Sequence, residues 1–137
     1  MQLFITGGTG LIGSSLIPEL KKKGHQITVL TRNKNKARKK LGSEIQYCTS
    51  LDYLDSLDGY DGVINLAGEP IIGKRWTKKQ KKRIENSRWN TTRRLTQLIK
   101  NGNHPPQVFL SGSAVGYYGV QNDTLLNEES TPRNDFL

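Results

Sequence analysis

Thr6-Gly7-Gly8-Thr9-Gly10-Leu11-Ile12-Gly13 follows directly on the apolar run Leu3-Phe4-Ile5. The glycines at 7, 10 and 13 stand where a buried strand ends and an amphipathic helix begins. A turn of this kind needs residues without a Cβ, so that the backbone can bend sharply and come close to a ligand. The helix that follows points its unpaired N–H groups and the positive end of its dipole at whatever sits over the turn. Strand, glycine-rich turn and helix together are a device for holding a pyrophosphate, and the position of the motif within a β–α unit is the context that gives it meaning.

Working outward, Gln2 to Thr6 reads as a short buried strand and Leu11 to Lys23 as a helix. Leu11, Ile12, Ser15, Leu16 and Leu20 are expected on its buried face, with Lys21-Lys22-Lys23 at the dipole's negative end and Gly24 closing it. Pro18 lies inside this helix and predicts a kink. A second strand is expected at Gln26 to Thr31, a basic helix at Lys34 to Leu41 and a weak strand at Glu44 to Cys48. Leu51, Leu54 and Leu57 suggest one helical face before Gly59. Asp61 to Leu66 reads as a strand, Thr77 to Lys100 as a long helix ended by Gly102 and Pro105-Pro106, and Val108 to Leu110 as the last strand.

Strands that alternate with helices, each strand a nearly continuous apolar run, predict a parallel sheet covered on both sides. With right-handed crossovers, the strand order is 3-2-1-4-5, a doubly wound α/β sheet of Rossmann type. The glycine turn then sits where strand order reverses. The 137 residues are about one domain, read as a single dinucleotide-binding unit over residues 1–137.

The end of the second strand, Thr31-Arg32-Asn33, refines the ligand. A site that prefers NAD places Asp or Glu there for the ribose 2′-hydroxyl. Here Arg32 stands in that place, and a guanidinium binds a 2′-phosphate that a carboxylate would repel. NADP is therefore expected over NAD. Asn65-Leu66-Ala67-Gly68, closing the fourth strand, supplies small residues that let backbone approach the cofactor. Ser111, Gly112 and Ser113 follow the fifth strand, where hydroxyls can hydrogen-bond a substrate oxygen.

Composition narrows the class. The chain is 34% apolar and 24% charged, and its apolar runs are only a few residues long, which excludes a transmembrane helix and fits a soluble protein. One cysteine, Cys48, leaves no disulfide framework and fits a cytoplasmic location. No cluster with metal-ligand spacing occurs. The net charge of +9 is concentrated between Lys74 and Arg94. On the long helix this basic stretch reads first as a solvated face, with Trp76, Ile84, Thr91, Leu95 and Leu98 packing on the sheet. Nucleic-acid binding is disfavoured because no recognised module accompanies the charge. A further reading has Lys74, Arg75 or Arg88 reaching back to a cofactor or an anionic substrate.

The form Thr-Gly-x-x-Gly-x-x-Gly at 6–13 resembles that of short-chain dehydrogenases/reductases. With Asn65-Leu66-Ala67-Gly68-Glu69-Pro70, Arg75-Trp76-Thr77, Ser87-Arg88 and Gly116-Tyr117-Tyr118-Gly119, the chain resembles the N-terminal part of the NAD(P)-dependent epimerase/dehydratase family. The resemblance is to an atypical subgroup whose members are labelled nucleoside-diphosphate-sugar epimerases. It implies that Gly7, Thr9, Gly10, Leu11 and Ile12 cradle the pyrophosphate, that Thr31 and Arg32 take the adenosine ribose with its 2′-phosphate, and that Leu66, Ala67, Gly68 and Ser111 line the cofactor. Ser113 matches the family's catalytic Ser/Thr. The family's Tyr-x-x-x-Lys pair does not occur: the residues four past the five tyrosines are Leu51, Leu57, Ile64, Gln121 and Asn122. Either the pair lies beyond Asp135-Phe136-Leu137, which reads as the opening of another helix before later strands and a substrate lobe, or the subgroup does without it and Tyr117 or Tyr118 substitutes. The function implied is hydride transfer at a carbinol or carbonyl carbon, with a small-molecule substrate of nucleotide-sugar type, no membrane partner and a homodimer as the assembly. The alternative is a non-catalytic NADP-binding sensor.

Overall fold

The computed structural model describes residues 1–119 and 122–132. The helix expected to open at Asp135-Phe136-Leu137 lies outside them. The elements run β1 (Gln2–Thr6), α1 (Leu11–Lys22), β2 (Gln26–Leu30), α2 (Lys34–Leu41), β3 (Gln46–Cys48), β4 (Gly62–Asn65), α3 (Lys78–Asn101) and β5 (Val108–Ser111), with single 3-10 turns at Leu51–Tyr53 and Val115–Tyr118. The five strands form one parallel sheet in the order β3-β2-β1-β4-β5, as the alternation of apolar runs predicts. β1 is the central strand: Phe4 pairs with Thr28 on one side and Val63 on the other.

Each side of the sheet has its own core, because side chains alternate along a strand. Leu3, Ile5, Ile27, Val29 and Ile64 pack with Ile17 of α1 and Ile45, and Leu16, Leu20 and Leu41 close the edges. On the other side Phe4 and Val63 meet Leu95 and Leu98 of α3 with Leu51 and Leu57. Phe4 and Tyr60 meet edge to face at 5.2 Å.

Three local expectations are corrected. Leu11 and Ile12 are not core residues; they are 89% and 64% exposed, and α1 rests on the sheet through Gly13 and Ile17, one turn apart. Leu11 and Ile12 stand in the first turn of the helix, directly after the exposed N-cap Gly10. The spacing of Leu51, Leu54 and Leu57 does not make a helix either. Only one 3-10 turn forms, capped by the Ser50 side chain on the Asp52 N–H, and Leu54 is already extended at φ −113°, ψ 134°. Leu57 is instead tied by its N–H to the Leu98 carbonyl of α3. Finally, Trp76 lies ahead of α3 rather than on its packed face, with Nε1 donating to the Ile71 carbonyl at 2.8 Å. α3 begins at its N-cap Thr77, whose side chain accepts from the Gln80 N–H, and buries Gln80, Ile84, Leu95 and Leu98. α1 runs through Pro18, which sits on its exposed side.

Candidate functional site

The carboxyl ends of β1, β2, β4 and β5 lie along one edge of the parallel sheet, where a doubly wound sheet opens its cleft, and the residues expected to touch a cofactor follow those ends. The glycine turn forms the middle. Gly7 has φ +68°, and a Cβ there would run into the Leu66 carbonyl, so only glycine lets β1 exit beside β4. A Cβ on Gly13 would come within 2.6 Å of the Gly8 Cα and 2.7 Å of the Gly7 carbonyl oxygen. These two glycines therefore serve the close seating of the helix on the turn. Gly10 differs: it is exposed, its N–H closes the turn onto the Gly7 carbonyl at 2.9 Å, and beyond that carbonyl its Cβ position meets nothing. Gly10 is also the N-cap of α1, and no side chain caps it. The first N–H groups of the helix have no intrahelical acceptor, so they present donors and the dipole's positive end to the cleft. Leu11 and Ile12, exposed in the first turn of α1, follow directly on that uncapped end.

Below the rim lies a buried polar network that the sequence did not reveal. The Thr6 hydroxyl donates to Asn65 Oδ1 at 2.6 Å, and accepts from the Ala67 N–H at 3.1 Å. Asn65 Nδ2 donates to Thr92 Oγ1 of α3 at 3.0 Å and to Ser111 Oγ at 3.2 Å. Thr6 is fully buried and Asn65 nearly so. Four elements are thus fastened at the level where the cleft begins. The Ala67 bond to Thr6 sets the direction in which Leu66, Ala67 and Gly68 leave β4.

On the β2 side, Thr31 continues the ladder, its N–H donating to the Cys48 carbonyl at 2.9 Å. Its hydroxyl accepts from the Asn33 N–H, and Asn33 in turn caps α2 by accepting from the Lys36 N–H at 2.9 Å. Arg32 is held between these two fixed residues, exposed, and among the described residues no acidic side chain pairs with it. Lys40, one helical turn beyond Lys36, reaches back so that Nζ donates to the Thr9 carbonyl at 2.8 Å. Two cations thus flank the glycine turn on its β2 side.

On the β5 side, the Gly112 N–H donates to the Asn65 carbonyl at 2.8 Å, which carries the chain over the strand end. Ser113, Ala114, Tyr117, Tyr118 and Leu126 line an open cavity of about 550 Å³. Tyr117 and Tyr118 meet edge to face at 5.1 Å. Ser113 and Tyr117 therefore share one cavity, while Thr31 and Arg32 follow β2, one strand beyond the glycine turn on the opposite side. Ser111, expected as a cofactor contact, already uses its oxygen to accept from Asn65.

The segment joining β4 to α3 forms the remaining wall. The Glu69 N–H donates to Ser87 Oγ at 2.8 Å, and the Ser87 hydroxyl donates to the Ile84 carbonyl at 2.7 Å. Arg88 Nη1 donates to the carbonyls of Glu69 and Ile84, at 3.3 and 3.2 Å. The Glu69 carboxylate turns away to Lys74 Nζ at 2.7 Å, and that hydrogen-bonded ammonium holds the carboxyl below the ordinary carboxylate range. Of the three basic residues expected to reach back, Arg88 lies against Gly68 and bonds the carbonyls of Glu69 and Ile84, and Lys74 is occupied by Glu69. Among the described residues no group of three or more His, Cys, Asp or Glu side chains could hold a metal ion, and no helix is long and apolar enough to cross a membrane.

Residues 3–136 match the NAD dependent epimerase/dehydratase family. The chain belongs to that family. Epimerase family protein YfhF of Bacillus subtilis (strain 168) is 37% identical over 139 residues, covering 100% of this chain and 46% of that protein. The chloroplastic epimerase family protein SDR39U1 homolog of Arabidopsis thaliana is 36% identical over 143 residues, again over 100% of this chain, and 41% of its own length. The chain therefore spans less than half the length of these curated relatives. Among solved structures, the human epimerase family protein SDR39U1 with NADPH superposes with a TM-score of 0.83 at 30% identity, covering 99% of this chain and 44% of that one. UDP-glucose-4-epimerase from Stenotrophomonas maltophila, solved with NAD and formylated UDP-arabinopyranose, superposes at a TM-score of 0.75 with 19% identity, over 97% of this chain and 43% of its own, and shows the shared fold.

Proposed function

We propose that residues 1–137 are the dinucleotide-binding unit of an NADP-dependent oxidoreductase or epimerase. The observation that carries this reading is the uncapped N-terminus of α1 at Gly10, set between an acid-free Arg32 and the exit of β4. The residues present fit an anionic dinucleotide. Leu11 and Ile12 offer backbone donors, Gly10 leaves no Cβ in their way, and Gly7, Thr9, Leu66, Ala67 and Gly68 form the bed beneath. Arg32, fixed between Thr31 and Asn33, would take the 2′-phosphate by two parallel charge-assisted bonds. The NADPH in the human relative's structure supports NADP over NAD. When bound, a nicotinamide supplies hydride exchange at a carbinol carbon. Ser113 orients the substrate oxygen by hydrogen bonding in the cavity it shares with Tyr117 and Tyr118, and a tyrosine hydroxyl there, that of Tyr117 in this reading, passes a proton to that oxygen. The nucleotide-sugar ligands of the more distant fold relatives support a nucleotide sugar as the substrate class.

The test is a fluorescence titration of the purified protein with NADPH and NADH. Tighter binding of NADPH is expected, and Arg32→Glu should reverse the order. Equal affinity for the two in the wild type would remove the role given to Arg32.

A further inference from the structure

We infer that Arg88 is a built anion-binding group on the α3 wall of the cleft, and that the group it takes is a diphosphate. The inference rests on the proposed dinucleotide site for its location, and its evidence is the state of the guanidinium itself. Arg88 lies over Gly68, with Cζ and Nη2 each 3.2 Å from the Cβ position of that glycine. A Cβ at residue 68 would push the guanidinium by a few tenths of an ångström, so the glycine lets the arginine lie directly on the backbone there. Nη1 donates to the carbonyls of Glu69 and Ile84, and these two bonds fix the plane of the fork. Among the described residues, Nη2 and Nε make no hydrogen bond. Glu69, the acid next to Gly68, is bonded to Lys74 instead, so the charge of Arg88 is not neutralised by a neighbour. Such an arrangement leaves a cation already oriented with donors to offer, which lowers the entropic cost of gripping a phosphate.

The position decides the ligand class. Gly68 follows Leu66, whose carbonyl touches Gly7, so Arg88 stands beside the glycine turn on the side towards Ser111 and Ser113. Arg32 is on the opposite side, beyond β1. An anion at Arg88 is therefore either the cofactor's own diphosphate or the diphosphate of a nucleotide substrate. Both are the same chemistry to a guanidinium.

Binding of NADPH, NADH and uridine diphosphate to the purified protein separates the sources. Arg88→Gln is expected to raise the dissociation constant at least about tenfold for both dinucleotides, or for uridine diphosphate alone, and Arg88→Lys to recover part of the loss. The first pattern assigns the cofactor's diphosphate, the second the substrate's. Affinity should also fall less steeply with added salt in Arg88→Gln than in the wild type, a change that a merely structural role would not produce. Ser87→Ala serves as the control, since it loosens the same segment at Glu69 without altering charge. If Ser87→Ala costs as much as Arg88→Gln, or if Arg88→Gln leaves all three ligands within about twofold, the inference is overturned. A wild type that binds neither dinucleotide but does bind uridine diphosphate through Arg88 would remove the cofactor reading and keep this one.

Discussion

Replacing Asn65 by alanine tests whether the polar network really fastens the strand ends. The Thr6 hydroxyl, fully buried, would lose its acceptor, and an unsatisfied buried donor costs about 1–3 kcal/mol. The two bonds from Nδ2 to Thr92 and Ser111 would also go, at about 0.5 kcal/mol each because water reaches the exposed Ser111. The sum is about 3 kcal/mol, a large share of the roughly 5–15 kcal/mol that holds a domain folded. With a urea m-value of about 1.5–2 kcal/mol/M, the unfolding midpoint should drop by about 1.5–2 M. The decisive assay is a double-mutant cycle with Thr6→Val, followed by urea unfolding at pH 7. Once Thr6 no longer offers a hydroxyl, Asn65→Ala should cost less, with a coupling of about 1–2 kcal/mol. A midpoint unchanged by Asn65→Ala, or strictly additive losses in the cycle, would refute the network as a structural tie.

Gly13→Val places a branched side chain where even a Cβ meets the Gly8 Cα, so a loss of about 1–3 kcal/mol in urea unfolding is expected, with loss of dinucleotide binding. Gly24→Ala, at a positive φ but with open space around it, should cost about 1 kcal/mol and leave binding intact. Glu69 has its pKa lowered by Lys74, so its contribution is complete above the unfolded value of 4.5 and is lost as pH falls through the lower folded value. Urea midpoints of the wild type and Lys74→Met should therefore differ at pH 7 and converge below that window; curves that stay parallel would count against the pair. Asp58, whose carboxyl is lowered chiefly by the His104 N–H, should behave the same way around its own ordinary value of 3.8, and Asp58→Asn should flatten that part of the acid limb.

The sheet and its order were legible because each strand is a short apolar run between turn signals, and the glycine turn marks where α1 begins. The positions of Arg32 and Ser113 just after β2 and β5 were legible because the fold fixes what stands at a strand's carboxyl end. The contacts that organise the site were not. Thr6 and Asn65 are 59 residues apart, Asn65 and Ser111 46, and nothing in periodicity joins them. Lys40 reads as one cation in a basic helix until the fold brings it to Thr9, 31 residues away. Ser87 and Arg88 were visible as a motif, but their carbonyl and N–H partners depend on the path of the β4–α3 segment. The error over Leu11 and Ile12 has a physical source: apolar spacing reports which residues share a side of a helix, not which of them the fold covers.

The central place of β1 also bears on how the chain is made. β1 is synthesised before either of its two neighbours, and its β4 partner begins at Gly62. At about 5–20 residues per second, several seconds pass before that partner emerges. Through that interval the β1–β2 pair, with α1 packed on it, carries an open edge at its most apolar strand, Leu3-Phe4-Ile5. Unpaired edges of this kind recruit foreign strands. The nascent chain is therefore most vulnerable to aggregation, and most in need of a chaperone, before Asn65 has been added.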